Sequence, residues 1–97
     1  VKKFTASRLS SGNFLFPERI TLDERGVTLR TPSLFSGDEK TIPYSRISSV
    51  DVNTPMIGFS DIKINTTGEG AIAAHGFYKS EVKEIKEFVL EKIHSNK

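Results

Sequence analysis

The sequence predicts a mainly β chain that ends in one α-helix, and three observations carry that reading. From Lys2 to Gly76, apolar residues recur at every second position in short runs separated by Gly, Pro, Ser and Asn clusters. The central stretch Thr41–Val52 reads as the end of one strand, a Pro-led turn at Pro43 and the start of the next strand. From about Tyr78 the apolar period changes from two to 3.6.

Taken in order, Lys2–Leu9 alternates loosely as a first strand, with Phe4 and Ala6 on one side. Ser10–Asn13 is a turn cluster, and the apolar run Phe14–Phe16 is interrupted by Pro17, which marks an edge, a bend or a strand start. The clearest hairpin joins Arg19–Asp23 to Val27–Thr31 and turns Ile20, Leu22, Val27 and Leu29 to one face. Its linker Asp23–Gly26 suits a type I turn closed by a left-handed glycine bulge. A longer loop, Thr31–Asp38, carries Leu34 and Phe35 at its tip. Glu39–Ile42 is the fourth strand, Pro43–Arg46 a single helical turn, and Ile47–Asn53 the fifth strand, with Val50 and Val52 inward and Ser49 and Asp51 outward. Thr54–Ser60 is a turn unusually rich in apolar residues. Asp61–Thr66 and Ala71–Gly76 are the last two strands, the seventh small enough in its side chains for a close approach by something packed on it. In the helix, Val82, Ile85, Phe88, Val89 and Ile93 form one stripe, and Leu90 falls at its margin.

A sheet of this size curls into a barrel or a sandwich, and the helical stripe has only the sheet to bury itself against. Ninety-seven residues suit one domain spanning 1–97. No apolar run reaches the roughly 18 residues of a membrane-spanning helix. The absence of cysteine excludes disulfides and thiolate chemistry and fits a cytoplasmic protein. The net charge of +2 is uneven: residues 1–48 hold eight Lys/Arg against five Asp/Glu, and residues 49–97 hold six against seven. That excess is too sparse for a nucleic-acid footprint.

The order hairpin, apolar loop, EKTIPYSRISSVDV, glycine-containing turn, DIKINTT and terminal helix resembles the bacterial pleckstrin-homology-like domains. The residues that carry the resemblance are Ile42-Pro43, Ser45-Arg46 and Ile47-Ser48-Ser49-Val50, with the Leu34–Gly37 loop and the Ile57-Gly58-Phe59 turn. It extends over roughly residues 18–93. It implies a seven-stranded, partly open barrel of two near-orthogonal antiparallel sheets, capped by a helix over about 78–94. It also implies a non-enzymatic module used as a binding platform, which is an analogy from fold.

The residues themselves offer few sites. The basic pattern with which related domains grip phosphoinositides needs several convergent donors, and here only Arg8, with Lys2 and Lys3 upstream, stands in its place. Lys2, Lys3 and Arg8 are therefore read as weak contacts for anionic lipid at most. The apolar tips Leu34/Phe35 and Met56/Ile57/Phe59 have three readings: they fold back to close the barrel ends, they form an exposed patch for self-association or a protein partner, or they insert into a membrane. Strands six and seven hold few charges, so an exposed sheet edge is a second route to assembly. Tyr44 is expected to pack on the core with its hydroxyl in water, and Arg46 to be solvated or paired to a carboxylate. His75 has no acid or nucleophile partner evident in the sequence, and His94 suits the helix C-terminus. No calcium loop, nucleophile elbow or phosphate cradle is present, so catalytic residues, metal and cofactor are all expected to be none. The reading is a binding and assembly module whose partner is a protein or a second copy, the alternative being a peripheral membrane adaptor. Only a deep polar cleft around His75 would favour an enzyme.

Overall fold

Two antiparallel sheets and one helix make the fold of the computed structural model, which describes residues 2–7, 17–32, 37–68 and 70–95. The first sheet runs β1 (Lys2–Thr5), β2 (Arg19–Leu22), β3 (Gly26–Pro32), β4 (Gly37–Pro43), and the second β5 (Ile47–Asn53), β6 (Ser60–Thr66), β7 (Ala71–Phe77). A single 3-10 turn, Tyr44–Arg46, joins the sheets, and α1 spans Lys79–Ser95. All seven expected strands and the helix are present; Arg8–Phe16 and Ser33–Ser36, with the Leu34/Phe35 tip and the Phe14–Phe16 run, lie outside the described residues.

No ladder joins β4 to β5 or β1 to β7 among the described residues, so the sheets meet at corners without closing. At one corner the covalent chain crosses through Tyr44–Arg46. At the other, the Ala6 N–H donates to the Glu18 carbonyl and the Ser7 N–H to the Gly76 carbonyl, both at 2.8 Å. Gly76 is the extra residue of a bulge: Ser60 pairs with Phe77 and Asp61 with His75, which leaves Gly76 unmatched at φ 108°. That left-handed value suits glycine and bends β7 toward the end of β1. A second irregularity leaves Ser48 unmatched between Ile47 and Ser49, so Ile47 and Val50 both reach the core at a spacing of three.

The β2–β3 turn differs from expectation in its reason for glycine. Asp23 accepts from the backbone N–H groups of Arg25 (2.8 Å) and Gly26 (3.1 Å), and these donors, the largest influence on it, hold its carboxyl below the ordinary aspartate value. Gly26 is not left-handed. Glycine is required because a Cβ there would collide with the Ile42 carbonyl across the β3–β4 ladder.

The core lies between the sheets and under α1. Ile20, Leu22, Val27, Ile62, Ile64, Ile72 and Phe77 are fully buried, and Val82, Ile85 and Val89 of the helix join them. Phe88 and Ile93 complete the helical stripe as partly buried neighbours, while Leu90 is exposed. The helix starts cleanly because Glu81 reaches back to accept the Tyr78 N–H at 2.9 Å, half of a capping box. Lys2 fixes the helix from the other sheet: its Nζ is 2.8 Å from Glu84 and 5.6 Å from the Phe88 ring centroid.

Candidate interaction surface

The described candidate residues fall into three groups, and the apolar tip between β5 and β6 is the most prominent. Met56 is 97% exposed and Ile57 92% exposed, side by side on a turn whose Gly58 takes φ 101° with nothing around it. The reading in which this tip folds back to close the barrel therefore fails for both residues. The reason is geometric: α1 and Phe77 already fill the core, and the left-handed Gly58 carries the chain outward before β6 begins. Phe59 alone turns inward, half-buried, its ring 5.8 Å from that of the exposed Tyr78. The apolar surface thus continues from the tip to the start of α1.

Beside the root of this turn, an open groove of about 560 Å³ runs along the middle of β5–β6–β7. Its walls come from three neighbouring registers, Asp51–Lys63–Ala73, Val52–Ile62–Ala74 and Asn53–Asp61–His75, with Glu18 also touching it. His75 has an acid partner after all, since its Nδ1 meets Oδ1 of Asp61 across the β6–β7 ladder. Asn53 adds a long contact of 3.4 Å to the other Asp61 oxygen. The sequence hides this pair because it does not state the β6–β7 register; the regular ladder from Asn65–Ala71 to Asp61–His75 sets the two side by side, and the bulge displaces only Ser60, to Phe77. The groove is broad and open, unlike the deep polar cleft that a catalytic His75 would require. Among the described residues, no three His, Cys, Asp or Glu side chains gather to hold a metal.

Of the basic residues read as lipid contacts, the two described, Lys2 and Lys3, do not converge. Lys2 is engaged by Glu84 and Phe88, whereas Lys3, one residue on, faces the opposite side of β1, and Arg8 lies outside the described residues. Tyr44 is only 2% exposed, and its hydroxyl donates to the Asp23 carbonyl at 2.5 Å and not to water. Burial, and secondarily the Asp23 charge, push its phenol up to about 12. Arg46 is exposed and has no carboxylate within ion-pair distance among the described residues. His94 lies exposed in the last turn of α1.

Two antiparallel sheets that meet without closing, a corner-crossing turn and a C-terminal helix make a mainly β module. The family model described as Bacterial PH domain matches residues 16–93, and the chain belongs to that family. Domains of this family generally bind proteins or lipids and are generally non-catalytic. No curated protein matches the chain.

Proposed function

We propose that this chain is a non-enzymatic assembly module that binds protein, foremost a second copy of itself, through the Met56–Ile57 tip. The observation that supports this most is the pairing of a protruding apolar knob with an adjacent groove on one molecule. Knob and groove lie beside each other on β5 and β6, so two copies related by a two-fold axis insert each tip into the other's groove. Fully burying two such side chains contributes about 1.5–3 kcal/mol each. Association costs about 4–15 kcal/mol in lost freedom, so one tip alone does not hold a dimer, and a weak complex needs both reciprocally inserted tips with the groove contacts around them. The absence of cysteine supports placing this assembly in the cytoplasm.

Light scattering after gel filtration tests the proposal, with liposome co-sedimentation in parallel. A mass that rises with concentration and reverts to monomer in Met56→Ser/Ile57→Ser supports it. Pelleting with anionic vesicles that weakens with salt, in a chain that stays monomeric, would replace it with the lipid-adaptor reading.

A further inference from the structure

We propose that Met56 is an oxidation site, and that its conversion to the sulfoxide by a hydroperoxide releases self-association through the tip. Met56 carries the only sulfur in the chain, which has no cysteine and no second methionine. Methionine ordinarily fills gaps in a core, whereas this one is 97% exposed. Its neighbour Ile57 is exposed as well, and a Cβ on Gly58 would meet nothing within 4 Å. An oxidant therefore reaches the thioether from open solvent, and no contact of the fold has to open first.

A thioether, unlike a thiol, has no proton to lose before it reacts, so access alone sets its reactivity. With hydrogen peroxide, a lone pair on Sδ attacks one peroxide oxygen. The O–O bond breaks, an S–O bond forms, and the proton of the transferred oxygen passes to the departing hydroxide, which leaves as water. Sulfur is oxidised and peroxide is reduced. Methionine sulfoxide reductase reverses the step, its dithiol becoming a disulfide as the oxygen leaves as water. The sulfoxide is polar, so burying it costs free energy where burying the thioether stabilises. That consequence rests on the reading of the tip as an assembly surface, while the oxidation itself does not. In a two-fold dimer each oxidised copy has lost an apolar anchor, and the fold is untouched because Met56 already lies in water. Docking and oxidation oppose each other, since a sulfur buried against a second copy is shielded from peroxide.

The test treats the whole chain with hydrogen peroxide and follows its intact mass, its peptide map and its light scattering. One added oxygen, mapped to Met56, is expected at the rate of free methionine in dilute protein, and more slowly as the dimer becomes populated. The oxidised chain should self-associate at least about tenfold more weakly, with its denaturant midpoint unchanged. Methionine sulfoxide reductase should restore both the original mass and the association. Met56→Leu, which keeps the tip apolar without sulfur, should associate equally before and after peroxide. Oxidation of Met56 far slower than that of free methionine in dilute protein overturns the proposal. So does an oxidised chain that associates as before, or a Met56→Leu chain that peroxide dissociates. A wild-type chain that stays monomeric while Met56 oxidises freely overturns the assembly reading, and the switch with it.

Discussion

The two ends of β5 meet the same problem in opposite ways. At its start, the chain leaves one sheet for the other through Tyr44–Arg46, and at its end it leaves the ladder through an apolar turn around Met56 and Ile57. Tyr44 enters the core because a place exists for each of its parts. Its ring lies 6.4 Å from that of Phe88 under the helix, and its hydroxyl is satisfied by the Asp23 carbonyl. Met56 and Ile57 are at least as apolar, yet they remain in water because no space in the core is left for them and Gly58 directs the turn outward. Hydrophobicity alone does not decide burial; the availability of a partner does. A fold that buries the Tyr44 side chain of one turn and leaves Met56 and Ile57 of the other in water uses the first for stability and leaves the second accessible.

Substitutions at the two ends should separate those roles, the largest effect coming first. Tyr44→Ala removes a buried ring and should cost about 3–5 kcal/mol in denaturant unfolding. A loss below ~1 kcal/mol would break the contrast, since the corner would then be no more important to the fold than the tip. Tyr44→Phe deletes only the bond to Asp23 and should cost about 1 kcal/mol.

The same hydroxyl gives a pH signature. A phenol whose pKa is raised on folding adds stability that is fully present below the unfolded value of 10 and is lost as pH rises through 10 toward about 12. Unfolding midpoints of the wild-type chain should therefore fall between pH 10 and pH 12, and Tyr44→Phe should flatten that fall. At the other end, Met56→Ser/Ile57→Ser should change stability by no more than ~0.5 kcal/mol, because both side chains are already in water. A larger destabilisation would mean that the tip supports the fold.

How much of this was legible in the sequence depends on whether the information was local. The β2–β3 hairpin was readable from the period of Ile20, Leu22, Val27 and Leu29, and the helix from the spacing of Val82, Ile85 and Val89, because each pattern matches the geometry of its own element. Pro43 announced the corner for the same reason. The misses are contacts that depend on register. Gly26 is required by the Ile42 carbonyl on another strand, which no turn rule contains. The His75–Asp61 pair follows from the β6–β7 register, and a one-residue shift in pairing decides which side chains meet. The tip residues were legible as candidates, but whether they were buried depended on how full the core was.

The most direct test of the tip as an assembly surface is the mass of the chain in solution, measured by light scattering across a concentration series up to the high micromolar range. The expected result is a mass that climbs from monomer toward dimer in the wild-type chain and stays at monomer in Met56→Ser/Ile57→Ser. A wild-type chain that remains strictly monomeric at every concentration would contradict self-association through Met56 and Ile57.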